Sequence, residues 1–80
     1  MNLPVSHGPQ KLPGVIWLPA AVTMTSGDLL RLTGWSRQVL YAYRQRHGFP
    51  QTSLIDGKQQ LRTRDVAAWL VRHGTKVEWL

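Results

Sequence analysis

Eighty residues allow one small domain, and with no cysteine that domain has neither a disulfide nor the usual structural zinc ligands to reinforce it. Ten Lys and Arg face four acids, Asp28, Asp56, Asp65 and Glu78, for a net charge of +6 that points to a polyanionic partner. No run approaches the roughly 20 apolar residues a membrane helix needs, since Val15 to Val22 is short and broken by Pro19. No basic stretch precedes an apolar core at the start of the chain, so a secretory signal is not expected and the cytoplasm is the default.

The first 24 residues hold four of the five prolines, and their one charged side chain is Lys11. Pro4, Pro9, Pro13 and Pro19 prevent a sustained helix, so residues 1–24 are expected to form an arm, flexible over 1–13. Its apolar segment 14–22 is expected to lie extended against the domain or against a second copy.

At Thr25 the pattern changes. Thr25-Ser26-Gly27-Asp28 has the form of a capping box, and a short helix carrying Leu29, Leu30 and Leu32 follows until Gly34. Ser36 is placed to cap a second helix running from Arg37 to about Arg46. Leu40 and Tyr43, with Val39 beside them, give that helix an apolar face, and Arg37, Tyr41, Arg44 and Gln45 lie on the other side. His47-Gly48-Phe49-Pro50 stops it. Two strand-like pieces, Thr52–Ile55 and Lys58–Arg62, meet at Asp56-Gly57, a strong hairpin signal. A third helix is expected from Thr63–Asp65 to Gly74, with Thr63 as its cap and Val66, Trp69 and Leu70 as its apolar stripe. Residues 75–80 form a tail that reads as a last strand or a clamp on the core.

The order helix, tight turn, helix, hairpin, helix predicts a mostly α fold with a small β-hairpin. This is the layout of a winged helix-turn-helix over residues 25–74. The run Leu32-Thr33-Gly34-Trp35-Ser36-Arg37, then Tyr41, then Gly48-Phe49-Pro50, resembles the AlpA-like regulators and phage excisionases, small proteins related to the MerR DNA-binding domain. Leu61-Arg62 and Asp65-Val66-Ala67-Ala68-Trp69-Leu70 fill the family's later positions, so the resemblance covers about residues 25–73. Arg64 stands where the family has a serine cap, Asp56 puts an acid near the wing tip, and the proline-rich arm has no family counterpart.

The resemblance implies a DNA-binding regulator of a phage or other mobile element, either an excisionase acting beside an integrase or a transcriptional regulator, with copies loading side by side on DNA. The residues themselves say where contact is expected. Ser36, Arg37, Gln38, Tyr41, Arg44 and Gln45 form the candidate major-groove face, because arginine reads guanine and glutamine reads adenine bidentately. Lys58 and Arg62 are candidate backbone contacts of the wing, which position a protein without reading sequence. A solvated helix face is the plain alternative for the first set, and simple solubility for the second.

No cofactor, metal site or small-molecule ligand is expected. His7, His47 and His73 fall in three different elements, and no cysteine or carboxylate cluster accompanies them. Paired carboxylates, a glycine-rich phosphate loop and a nucleophile–base constellation are all lacking, so no enzymatic activity is expected. Two other functions compete. One is the DNA-recognition domain of a phage terminase small subunit. The other is a protein-interaction adaptor that uses the apolar segment around Trp17 and for which the basic face is incidental.

Overall fold

A computed structural model describes residues 12–80. Within them the chain runs β1 (Val15–Leu18), β2 (Thr23–Met24), α1 (Ser26–Thr33), α2 (Arg37–His47), β3 (Ser53–Ile55), β4 (Lys58–Arg62), α3 (Thr63–Arg72) and β5 (Lys76–Trp79). The result is a small mixed α/β domain with three helices among the described residues. The expectation of a mostly α fold understated the strands. The flexible arm expected over 1–13, and His7 with it, falls almost wholly outside the described residues.

The reason lies in the apolar segment 14–22. Strand periodicity sends Ile16 and Leu18 to one side and Val15 and Trp17 to the other. Ile16 and Leu18 are buried while Val15 and Trp17 stay about half exposed. Burying a side chain such as Leu18 is worth about 2 kcal/mol, so the segment folds down rather than remaining an arm. It pairs in parallel with β5, Val15 opposite Lys76 and Leu18 opposite Trp79. The Thr75 hydroxyl adds a bond to the Pro13 carbonyl at 2.9 Å. Ile16 and Leu18 of β1 join the core that the three helices build, and Val77 of β5 packs against it.

After Pro19 the chain bends and returns as β2, which pairs antiparallel with β4, Met24 opposite Leu61. β3 pairs with the other edge of β4, giving the order β2-β4-β3. The β3–β4 turn has Asp56 at φ 52° and Gly57 at φ 76°. Two successive positive φ values form the tight hairpin turn that Asp-Gly favours. The strand before it starts at Ser53, one residue later than expected.

α1 opens as its sequence demands. The Thr25 hydroxyl accepts from the Asp28 N–H at 3.0 Å, and the Asp28 carboxylate accepts from the Thr25 N–H at 3.2 Å. α3 does not open as expected. Its cap is Arg62, with no side-chain cap bond, and Thr63 lies one residue inside the helix. Thr63 is buried and donates its backbone N–H to the Val22 carbonyl at 3.0 Å. The sheet, rather than a capping hydroxyl, sets where the chain turns from β4 into α3.

The core gathers Ile16, Leu18, Met24, Leu29, Trp35, Leu40, Tyr43, Phe49, Leu61, Val66, Ala67, Trp69 and Leu70. It thus draws on both sheets and all three helices. Trp69 is fully buried at its centre.

Candidate nucleic-acid interface

The α1–α2 connection is fixed by its backbone and by what lies beneath it. Gly34 closes α1 in the left-handed region at φ 77°, and its N–H donates to the Leu30 carbonyl at 2.8 Å. A side chain there would be strained, which is why glycine ends the helix. The Thr33 hydroxyl donates to the Leu29 carbonyl at 2.8 Å and accepts from the Trp35 N–H at 3.1 Å. Trp35 then turns inward, edge-on to Tyr43 at 4.8 Å and to Phe49 at 5.7 Å. Such edge-to-face pairs add to area burial. They anchor the turn directly to α2 and to the segment that ends it.

Ser36 caps α2 by accepting from the Val39 N–H at 3.1 Å. At the other end Gly48, at φ 67°, closes the helix, and the Phe49 N–H reaches the Tyr43 carbonyl at 3.2 Å. Leu40 and Tyr43 are buried and Val39 packs against the core. With that face committed, Arg37, Gln38, Tyr41 and Gln45 are exposed. Arg37, Tyr41 and Gln45 form an i, i+4 row, with Gln38 beside it. Tyr41 is 64% exposed, a large aromatic surface to leave in water. α2 carries no acidic residue anywhere along its length.

Arg44 departs from that group. Its Nε donates to the Pro50 carbonyl at 3.2 Å, and its Nη2 is buried with no partner among the described residues. Desolvation lowers its pKa from the usual arginine value. Arginine stays protonated through such a shift. The side chain reaches past the C-terminal end of α2 and braces the Gly48-Phe49-Pro50 segment. No local signal marks this contact, because helical spacing alone puts Arg44 beside Tyr41.

Lys58 and Arg62 lie at the two ends of β4. Lys58 is exposed at the hairpin tip. Gln60, between them, bridges all three strands of its sheet, donating to the Ile55 carbonyl at 3.1 Å and accepting from the Thr23 hydroxyl at 2.7 Å. Arg62 sits instead at the start of α3. There it lines an open groove of about 440 Å³ with Ala20, Ala21, Val22, Thr63, Arg64 and Trp79. Arg64, exposed in that groove, is a second cation that the expected site did not include.

Among the described residues no three His, Cys, Asp or Glu side chains gather as metal ligands, and no helix is long and apolar enough to cross a membrane. No family model matches this chain, and neither does any curated protein or solved structure.

Proposed function

We propose that this chain binds double-stranded DNA as a small winged helix-turn-helix protein, with α2 in the major groove and the β3–β4 hairpin along the neighbouring backbone. The observation that carries the reading is the outer face of α2. It is acid-free, it offers Arg37, Gln38, Tyr41 and Gln45 together, and the Gly34 turn with Trp35 packed beneath holds it rigidly. A helix of this width fits the major groove of B-form DNA, and arginine and glutamine are the side chains suited to its base edges. Lys58 at the hairpin tip supplies a backbone contact, and the net charge of +6 favours encounter with phosphate. RNA fits less well, because its major groove is too deep and narrow for a helix.

The resemblance of the Leu32–Arg37, Gly48–Pro50 and Asp65–Leu70 runs to AlpA-like regulators and excisionases extends the proposal. The role is then that of a non-enzymatic mobile-element regulator in the cytoplasm, directing excision beside an integrase or controlling transcription. A single module of this size buries only a modest area on DNA, so occupancy by several copies is part of the proposal.

The test is selection from a pool of random duplexes at two salt concentrations, with the Arg37→Ala, Tyr41→Ala double variant beside the wild type. Both residues are exposed, so the variant keeps its core. An enriched motif that the variant loses supports recognition by α2. Retention that falls with salt and enriches no motif would reduce the function to phosphate binding. No retention at either salt overturns the proposal.

A further inference from the structure

β5 is the outer strand of its pair, and none of its four residues is fully buried. Its neighbour β1 takes the buried positions through Ile16 and Leu18, so the core lies on the β1 side. The Lys76 N–H donates to the Gly14 carbonyl and the Leu80 N–H to the Leu18 carbonyl, both at 2.9 Å. Backbone groups alternate in direction along a strand, so the N–H and C=O of Val77 point the other way. Among the described residues no strand pairs with that edge.

The side chains along the edge are ordered cation, apolar, anion. Lys76 and Glu78 flank Val77 on one face, 3.2 Å apart, and remain 71% and 36% exposed. Edge strands are commonly guarded by charge, but this order is self-complementary. Laid antiparallel on a second β5 with Val77 opposite Val77, each Lys76 meets the Glu78 of the other copy. Sliding the register by two residues in either direction puts Lys76 against Lys76 or Glu78 against Glu78. In the centred register the two Val77 residues exchange both backbone hydrogen bonds. The charge pairs then fall at the non-hydrogen-bonded positions, where side chains approach closest. Trp17 lies opposite Glu78 in the β1–β5 register and is half exposed. It shares the face of the charge pairs and extends the contact with apolar surface.

We propose that β5 is a self-association edge, pairing antiparallel about Val77 with the β5 of a second copy to form a four-stranded β1-β5-β5-β1 sheet. The contact is isologous, each copy offering the same patch. It does not depend on DNA binding.

Sedimentation of the full chain over a concentration series tests the proposal, using wild type, Lys76→Glu, Glu78→Lys and the double reversal. Circular dichroism establishes that each variant is folded. The wild type is expected to show a monomer–dimer equilibrium. Each single reversal sets like charges opposite one another twice, weakening association by roughly tenfold to a hundredfold, and the double reversal restores it. An equimolar mixture of the two single variants also restores it, because two acids on one chain then face two lysines on the other. A wild type that stays monomeric at its highest attainable concentration overturns the proposal and leaves the charges as a guard on the edge. So does a dimer that ignores the single reversals.

Discussion

The indole N–H of Trp69 donates to the His47 carbonyl at 2.8 Å, tying the last turn of α2 to the middle of α3. That carbonyl is one of the groups a helix end leaves without an internal partner. The bond therefore satisfies α2's C-terminus while Phe49, at 4.7 Å, and His73, at 4.2 Å, pack on the indole. Through this contact the position of the exposed α2 face is set by the core.

Trp69→Phe removes the donor and leaves a void beside it. The expected cost is about 2–4 kcal/mol, a large part of the stability of so small a domain. Urea unfolding should show the midpoint falling with an unchanged slope. An unmoved midpoint would mean that the bond contributes nothing.

The buried Thr63 hydroxyl has no partner among the described residues. A buried polar group left unpaired costs free energy, and an apolar replacement of the same shape removes that cost. Thr63→Val is expected to be neutral or stabilising by about 1 kcal/mol, with Thr63→Ser less stable than either. A Thr63→Val variant that loses 1 kcal/mol or more would show that the hydroxyl is engaged.

Much of this fold was legible in the chain because local rules and packing agree there. Thr25 and Asp28 close a capping box, Gly34 and Gly48 end helices in the left-handed region, and Asp56-Gly57 turns the hairpin. Val66, Trp69 and Leu70 face the core at helical spacing, and all three are fully buried. The parts that were not legible depend on long-range partners. The pairing of Val15–Leu18 with Lys76–Trp79 spans nearly the whole chain, and no local signal in either segment names the other. Thr63 looked like a cap because hydroxyls usually are, but its backbone N–H was already committed to Val22. Within the candidate site, exposure of Arg37, Gln38, Tyr41 and Gln45 followed from periodicity. The turning of Arg44 toward Pro50 did not.

Asp28 gives the acid side of the stability curve a definite sign. The Thr25 backbone N–H is the main influence lowering its pKa below 3.8, with the Thr25 hydroxyl and Arg31 adding to it and desolvation opposing. A carboxylate held low in the folded state contributes stability in full above its ordinary pKa, and loses it as pH falls through the folded value. Exposed caps of this kind are worth about 0.5–1 kcal/mol. Asp28→Asn should therefore lower the thermal midpoint at neutral pH, with the gap from wild type closing below about pH 4. A gap that stays constant on acidification would falsify the assignment.

Arg37 and Arg44 are two helical turns of α2 apart, yet their surroundings differ, and paired measurements can tell their roles apart. Arg44 holds the Pro50 carbonyl at 3.2 Å, so Arg44→Ala should cost about 1 kcal/mol of stability by freeing the segment that ends α2. Arg37 is exposed, so Arg37→Ala should leave stability within about 0.5 kcal/mol of wild type. On DNA the order reverses if α2 reads the groove. Arg37→Ala should then weaken binding to a selected site by about 1–3 kcal/mol while leaving binding to unrelated duplex less affected. Arg44→Ala should lose affinity only to the extent that it unfolds the protein, a loss that cooling or stabilising osmolyte recovers. Equal, unrecoverable losses of affinity from both variants would place Arg44 on the DNA after all, with its bond to Pro50 given up on binding.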